Sequence, residues 1–518
     1  MSSRSRAMKV PLVAALVATL FAVGGCGAGT SSGTTSNAQL DSTAVLRYVY
    51  PNAPGTLDPH IVNTAYANVP LFLIFDRLVH ISPAGEAVPG LATSWSFSSD
   101  AKVLTFKLRD GVNFQDGTKF DAAAVQANIE HGKNAPGSFV SGELRSVDKV
   151  EVVDPLTAAF HLNTPDVALV LKLSDRAGAM MSPKSIEAGD SDVRPVGAGM
   201  YELDGKYQTG VKMKVKKFAG YWNPKAQTLA GVEMSFIPDS TAGLNAIKSG
   251  SADAGLIRET DIDPAKSAGL NVLEGYDLGF QNIILNPDNV PALKNEKVRL
   301  ALNLAIDREA IVKGLLFGYG KATNQPFPKG YFAHSDAAQQ YKYDPEQAKK
   351  LLAEAGYANG FDLTLTNVPG PSGPVNEAVA AQLTKVGVRT KITQVESAAL
   401  GQQLSVDKST QAVNVRWTGR PDPSSTIALL YMPGGAQNPS NLASENAVRL
   451  YKEQAKETDP KKRAELLGQL SDELVAHPSA SQIVLFQSVT AIAASKKVVG
   501  LKAWTTGKLE FGGVGMTK

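Results

Sequence analysis

The chain of 518 residues carries 52 lysines and arginines, 49 acidic residues, six histidines and one cysteine. Near-balanced charge excludes a nucleic-acid binder, which needs a basic face to neutralise phosphates, and a lone cysteine excludes a disulfide framework. The length exceeds what one hydrophobic core usually supports, so two or three domains are expected.

Residues 1–25 read as a leader. Arg4, Arg6 and Lys9 precede a mostly apolar run, residues 10–23, that ends in Gly24-Gly25-Cys26. A basic segment, a short apolar segment and small residues before a cleavage point describe an export signal. The run falls short of the about 20 apolar residues of a membrane span. Its three cations are the whole basic excess, because 52 less 3 equals the 49 acids, none of which lies in the leader. Val23-Gly24-Gly25-Cys26 resembles a bacterial lipobox. That resemblance implies lipidation of Cys26, cleavage before it, and a chain lipid-anchored on the extracytoplasmic side of the bacterial cell membrane. Residues 26–40, rich in Gly, Ser and Thr, are expected to behave as a flexible tether with a reach of roughly 20 Å.

Strands and helices mix along the body. Val103, Leu104, Thr105, Phe106, Lys107 and Leu108 alternate as a half-buried strand should. Segments 45–50, 213–217, 233–237, 363–366, 413–416 and 483–486 read as further strands. A helix is expected from Asn295, with Val298, Ala301, Leu302, Ala305, Val312 and Leu315 facing inward. Asp344-Pro345-Glu346-Gln347 opens another, with an N-cap, proline at the first position and glutamine at the third, and Gly356 closes it. Asp459-Pro460 opens one more, striped by Leu466, Leu467, Leu470 and Leu474. The fold class is mixed α/β, in more than one domain.

Enzyme signatures are missing. No G-x-S-x-G elbow occurs, Gly370-Pro371-Ser372-Gly373 having the wrong spacing, and no phosphate-binding loop appears. His60, His80, His131, His161, His334 and His477 are scattered without an H-x-x-x-H pair. No catalytic residue, metal ligand or cofactor is therefore assigned from sequence, although a metal site assembled in space stays open.

Seven segments in order resemble the extracellular solute-binding proteins of family 5, the peptide- and nickel-type receptors of ABC importers. They are Thr56-Leu57-Asp58-Pro59, Leu73-Ile74-Phe75-Asp76-Arg77-Leu78, Pro89-Gly90-Leu91-Ala92-Thr93-Ser94-Trp95, and the stretch 104–117. Pro195-Val196-Gly197-Ala198-Gly199-Met200-Tyr201 follows, with Ala and Met where the family has Thr and Pro, then the helix at Val298-Arg299-Leu300 and Ala305-Ile306-Asp307-Arg308, then Trp417-Thr418-Gly419-Arg420-Pro421-Asp422-Pro423. The resemblance implies a two-lobed periplasmic-binding-protein-like fold (type II) with an extra inserted domain. One lobe would use residues 41–78, 196–271 and 488–518, the inserted domain 79–195, and the other lobe 272–487. Two strands crossing between the lobes would form the hinge.

It implies, further, a monomeric receptor and no enzyme. The ligand would be a peptide or similar small polar solute, passed to an ABC permease and its ATPase subunits by hinge closure. A nickel- or haem-type receptor, a signalling receptor without transport and a secreted hydrolase are the rivals; the last lacks its nucleophile.

Candidate ligand residues follow. Arg416, Trp417, Arg420 and Asp422 stand where an apolar strand stops at two prolines, so their side chains leave the sheet at a crevice-facing end. Trp417 offers a flat wall and Arg420 a fork for a carboxylate or phosphate. Family members that bind oligopeptides hold the ammonium with an aspartate near here; Gly419 and Arg420 replace it, which favours an anionic ligand. The alternative is an Arg420–Asp422 pair that only shapes a turn. His60, Asn63 and Tyr66 lie in the loop that lines the cavity in family members. Gln281 and Asn282, just past the crossover, and Asn438 and Asn441, beyond Gly434-Gly435, complete the set.

Overall fold

The alternating segment Val103–Leu108 is a strand whose Leu104, Phe106 and Leu108 are buried. It is one of the two inner strands of a four-stranded antiparallel sheet with Ala92–Phe97, Thr157–Leu162 and Val147–Asp154. Helix Ala122–Asn134, capped by Asp121, adds Val125 and Ile129 to the same core, a cluster that runs in sequence from Leu78 to Ala198. The computed structural model describes residues 39–518 other than 339, 371 and 477–480. Cys26 and most of the tether lie outside them. Residues 40–518 form one unit.

A second, larger sheet organises the rest. Val45–Tyr50 lies between Gly231–Phe236 and Ala254–Ile257, all parallel, with Lys212–Lys217 and Tyr201–Leu203 added antiparallel at the edge. At the far end Phe361–Asn367 is parallel to Val388–Gln394 and to Ala412–Trp417. Between these groups run two long antiparallel strands, Asn271–Leu285 of 15 residues and Gln482–Ala494 of 13. At about 3.4 Å per residue each reaches roughly 45 Å, enough to serve both groups. Their register shifts between Tyr276 and Phe280, and such irregularities bend a strand. Separate cores flank that bend, one around Tyr48, Met213 and Met234, the other around Leu302, Leu363 and Leu485. The fold is two-lobed, and the two long strands join the lobes.

Register also gives direction. Ile257 pairs with Ala491 and Trp417 with Phe280, so parallel strands of both lobes end beside the bend. In α/β sheets ligands bind outside such carboxyl ends.

The helix caps behave as read. Asp344 accepts the Gln347 amide, Pro345 stands at the first turn of Pro345–Glu354, and Gly356 takes φ +89°. One reading needs correction. The single helix expected from Asn295 is two, Glu296–Leu304 and Arg308–Leu315. Asp307 accepts the Ala310 amide and starts a new helix, and the buried Arg308 guanidinium donates to the carbonyls of Asn303 and Val484. Among the described residues no helix is long and apolar enough to cross a membrane.

Candidate functional site

Trp417 ends its strand, is buried, and donates its indole N–H to Thr426 Oγ1 at 3.1 Å. The chain then turns through Gly419, whose φ of +55° and closeness to Leu278 leave no room for a Cβ. Arg420 emerges half-buried with its guanidinium carbon 5.5 Å from the Trp417 ring centroid. No described carboxylate lies within ion-pair distance of it. The turn pairing with Asp422 does not form. Asp422 is buried and gives both oxygens to Arg463, at 2.8 and 2.7 Å, while accepting the Ser424 amide.

Arg416 lies on the exposed side of the same strand end. Its guanidinium stands 3.5 Å from Asp277 Oδ2, with the side chain 40% accessible. Desolvation in the crevice opposes its charge, but Tyr66, Asp277 and Glu259 outweigh this and hold it above the ordinary arginine value. Tyr66 and Glu259 belong to the other lobe, so Arg416 senses both walls. Asp277 sits in the bend of the crossing strand, where it accepts the Thr490 hydroxyl at 2.5 Å and the Gly279 amide at 2.6 Å.

Glu143, which follows helix Ala122–Asn134, lies near enough to Arg420 for the two charges to interact. Burial raises its carboxyl above the ordinary value; Arg420 is the largest charge pulling it back, Asp175 adds to the rise, and Arg176 and Lys172 oppose it. Behind it a buried pair closes the wall, Lys508 Nζ to Asp175 Oδ2 at 2.8 Å, with Asn68 donating to Asp175 Oδ1 at 2.6 Å. Burial opposes the Asp175 charge, yet Lys508 and Arg176 keep its carboxyl well below the usual range. The crevice thus presents Arg416 and Arg420 on one wall and Glu143, Tyr66 and Glu259 on the other.

Tyr66, Arg416, Trp417 and Arg420 are brought together, and Asn63 is exposed on the Tyr66 loop. Other expected residues hold the protein itself. His60 is buried with Nε2 at 3.2 Å from the Ala179 carbonyl. Gln281 donates to Asn414 at 2.6 Å and Ser372 at 3.3 Å, and Asn282 to Gln482 at 2.5 Å. Asn438 spans the Met432 and Leu442 carbonyls, and Asn441, at φ +55°, accepts the Gly434 amide. Short polar side chains at strand ends and turns bind backbone as readily as ligand. Glu143 and Asp277 went unnoticed because each is an isolated acid in sequence; strand pairing brings Asp277 to Thr490 and Arg416, and only the packing of distant segments brings Glu143 within range of Arg420.

Two lobes joined by shared strands, with charged side chains on both walls of the crevice, define a solute-binding protein. The chain belongs to the bacterial extracellular solute-binding proteins, family 5, whose middle-region model matches residues 86–438. It is 32% identical over 349 residues to the glutathione-binding protein GsiB of Escherichia coli (strain K12), covering 66% of this chain and 68% of that one. The structure of HbpA2 from Haemophilus parasuis superposes with a TM-score of 0.79 at 27% identity, over 92% of this chain and 100% of that one. The PBP AgaA in complex with agropinic acid, from A.tumefacien R10, gives 0.78 at 25% identity, over 92% and 99%. The family binds small molecules or peptides outside the cytoplasm and works with ABC importers, and substrate binding is this chain's role.

Proposed function

We propose that this protein is a lipid-anchored receptor that captures a peptide or similar small polar solute bearing a carboxylate. The carrying observation is Arg420, a half-buried guanidinium over an aromatic wall with no described carboxylate in ion-pair reach. A forked donor in a crevice suits a bidentate carboxylate. Glu143 across the gap is suited to a ligand ammonium, so a zwitterion matches both walls. Two relatives support the reading by their names: glutathione carries carboxylates and an ammonium, and agropinic acid is an acid.

Capture works by closure. A ligand touching both Arg420 and Glu143 favours the state in which the lobes approach, and the bend at Tyr276 to Phe280 is where the shared strands flex. The closed form is what an ABC permease receives, with its ATPase subunits supplying the energy. The lobes divide as 41–78, 196–271 and 488–518 against 272–487, with 79–195 inserted. Cys26 holds the monomer to the membrane, and the protein acts as a receptor without catalysis.

Native mass spectrometry of the full chain as purified, followed by calorimetry with peptides and small organic acids, tests the reading. A retained carboxylate-bearing ligand, released intact, is expected. Cleaved products, or a broad panel of acids and peptides that never binds, overturn it.

A further inference from the structure

The scattered histidines conceal one juxtaposition. Asp58 and His60 lie in the loop after the first strand, and His131 lies in helix Ala122–Asn134 of the inserted segment. Folding brings one donor atom from each to within 4.8 Å of the others. His131 Nε2 is 2.8 Å from Asp58 Oδ2, and the two imidazole centroids are 5.4 Å apart. Asp58 Oδ1 is already occupied, accepting the His60 amide at 2.8 Å, which leaves Oδ2 directed at the cluster.

His60 supplies the second, independent observation. It is completely buried, and its Nδ1 has no hydrogen-bond partner. Its Nε2 lies 3.2 Å from the Ala179 carbonyl, an acceptor only, so Nε2 carries the proton and Nδ1 presents a bare lone pair. An orphaned acceptor in the interior is costly unless something occupies it. A metal-bound histidine commonly has this arrangement, one nitrogen fixed on a carbonyl and the other free to coordinate.

We infer that Asp58, His60 and His131 form a binding site for a divalent transition-metal ion that pins the inserted segment to the first lobe. Two imidazoles and one carboxylate match the ligand preferences of zinc, with the fourth tetrahedral position left to water. Tetrahedral zinc would hold its donors roughly 3.4 Å apart, so the cluster contracts slightly around the ion while the Asp58–His131 hydrogen bond is exchanged for coordination. His131, 20% accessible, is the entry side. Among the described residues no lysine or arginine is paired with Asp58, and the Phe139 amide already bridges to the His60 carbonyl at 2.9 Å, so the ion would reinforce an existing seam.

Chelator-stripped full chain is titrated with ZnCl2 by calorimetry and by thermal unfolding, and with Co(II) for its visible d–d absorption. The wild type should take up one ion with a rise in melting temperature. His131→Gln and Asp58→Asn should each lose at least about tenfold in affinity, whereas His161→Gln, a surface histidine paired with Glu151, should match the wild type. His131→Gln sits at the partly open side, so it reports even if His60→Gln does not fold. Absence of stoichiometric uptake by the wild type overturns the site, and so does uptake that His131→Gln and Asp58→Asn leave unchanged.

Discussion

Arg463, in the first turn of helix Pro460–Ala476, takes both carboxylate oxygens of Asp422, which caps helix Pro423–Leu430 and lies 41 residues earlier in the chain. The pair is buried, with Arg463 also donating to Ser424 at 2.9 Å and Gln454 at 3.1 Å. Because Asp422 is satisfied there, Arg420 two residues away is left for the crevice. One structural ion pair thus decides the availability of the next arginine.

Asp422 should show itself in the acid limb of stability. Burial works against its charge, but Arg463 and the Ser424 contacts prevail and hold its carboxyl below the ordinary value. A depressed folded value stabilises above the unfolded value, about 3.9, and the contribution disappears as pH falls through the folded one. Asp422→Asn keeps a capping side chain but strands Arg463, at a cost of about 3 kcal/mol at pH 7. Urea midpoints for wild type and variant should differ by a steady amount from pH 7 to about 4 and converge only as pH falls further, through the folded carboxyl value. A gap that persists undiminished in acid well below about pH 4 would contradict the pairing.

Gly419→Ala tests how Arg420 is aimed. A Cβ there would lie 2.4 Å from Leu278 Cβ, at a φ of +55°. Relief requires either the turn or the crossing strand to move. We expect a loss of about 1–3 kcal/mol in stability and weaker ligand binding, read by thermal unfolding and calorimetry. Unchanged binding would separate the turn from the site.

Arg420→Ala should lower affinity for an identified carboxylate ligand by at least about tenfold, since such a contact is worth about 2–5 kcal/mol. The unliganded melting temperature should move little, because the guanidinium makes no ion pair with a described carboxylate and acts on Glu143 only at longer range. Arg420→Lys should recover part of the loss, a point charge being a poorer match than a fork. Glu143→Gln should weaken ligands with a free ammonium and spare those without one. Equal affinity in wild type and Arg420→Ala would remove the arginine from the site.

Ligand binding itself should be visible as stabilisation. At 100 times the dissociation constant the gain is about 2.7 kcal/mol, which for so large a body is a rise of a few degrees. Differential scanning calorimetry across a ligand series should rank the melting temperatures in the order of affinity.

Cys26→Ala should abolish membrane retention, leaving unprocessed precursor or released soluble chain, with the folded body unaffected. Detergent-phase partitioning measures it. A correctly processed variant that still enters the detergent phase would end the lipid-anchor reading.

What the sequence determined by itself is what lies within a few residues. The alternation of Val103–Leu108, the Asp344-Pro345 cap and the stripe of Leu467, Leu470 and Leu474 all became what short-range sterics and burial demand. Ordered motifs from Thr56 to Pro423 carried the family, and with it the two-lobed plan. Local signals misled where a distant partner intervened: Arg308, bonded to the Val484 carbonyl, splits the expected long helix, and Arg463 claims Asp422. The crevice was legible as a strand end near Trp417, but not as a set of opposed charges. Glu143 comes within electrostatic range of Arg420, Tyr66 comes within range of Arg416, and His60 lies beside His131, only because segments far apart in sequence pack together. Electrostatics and coordination act through distance in space, so tertiary structure alone decided which charged side chains face one another and which are consumed by the protein.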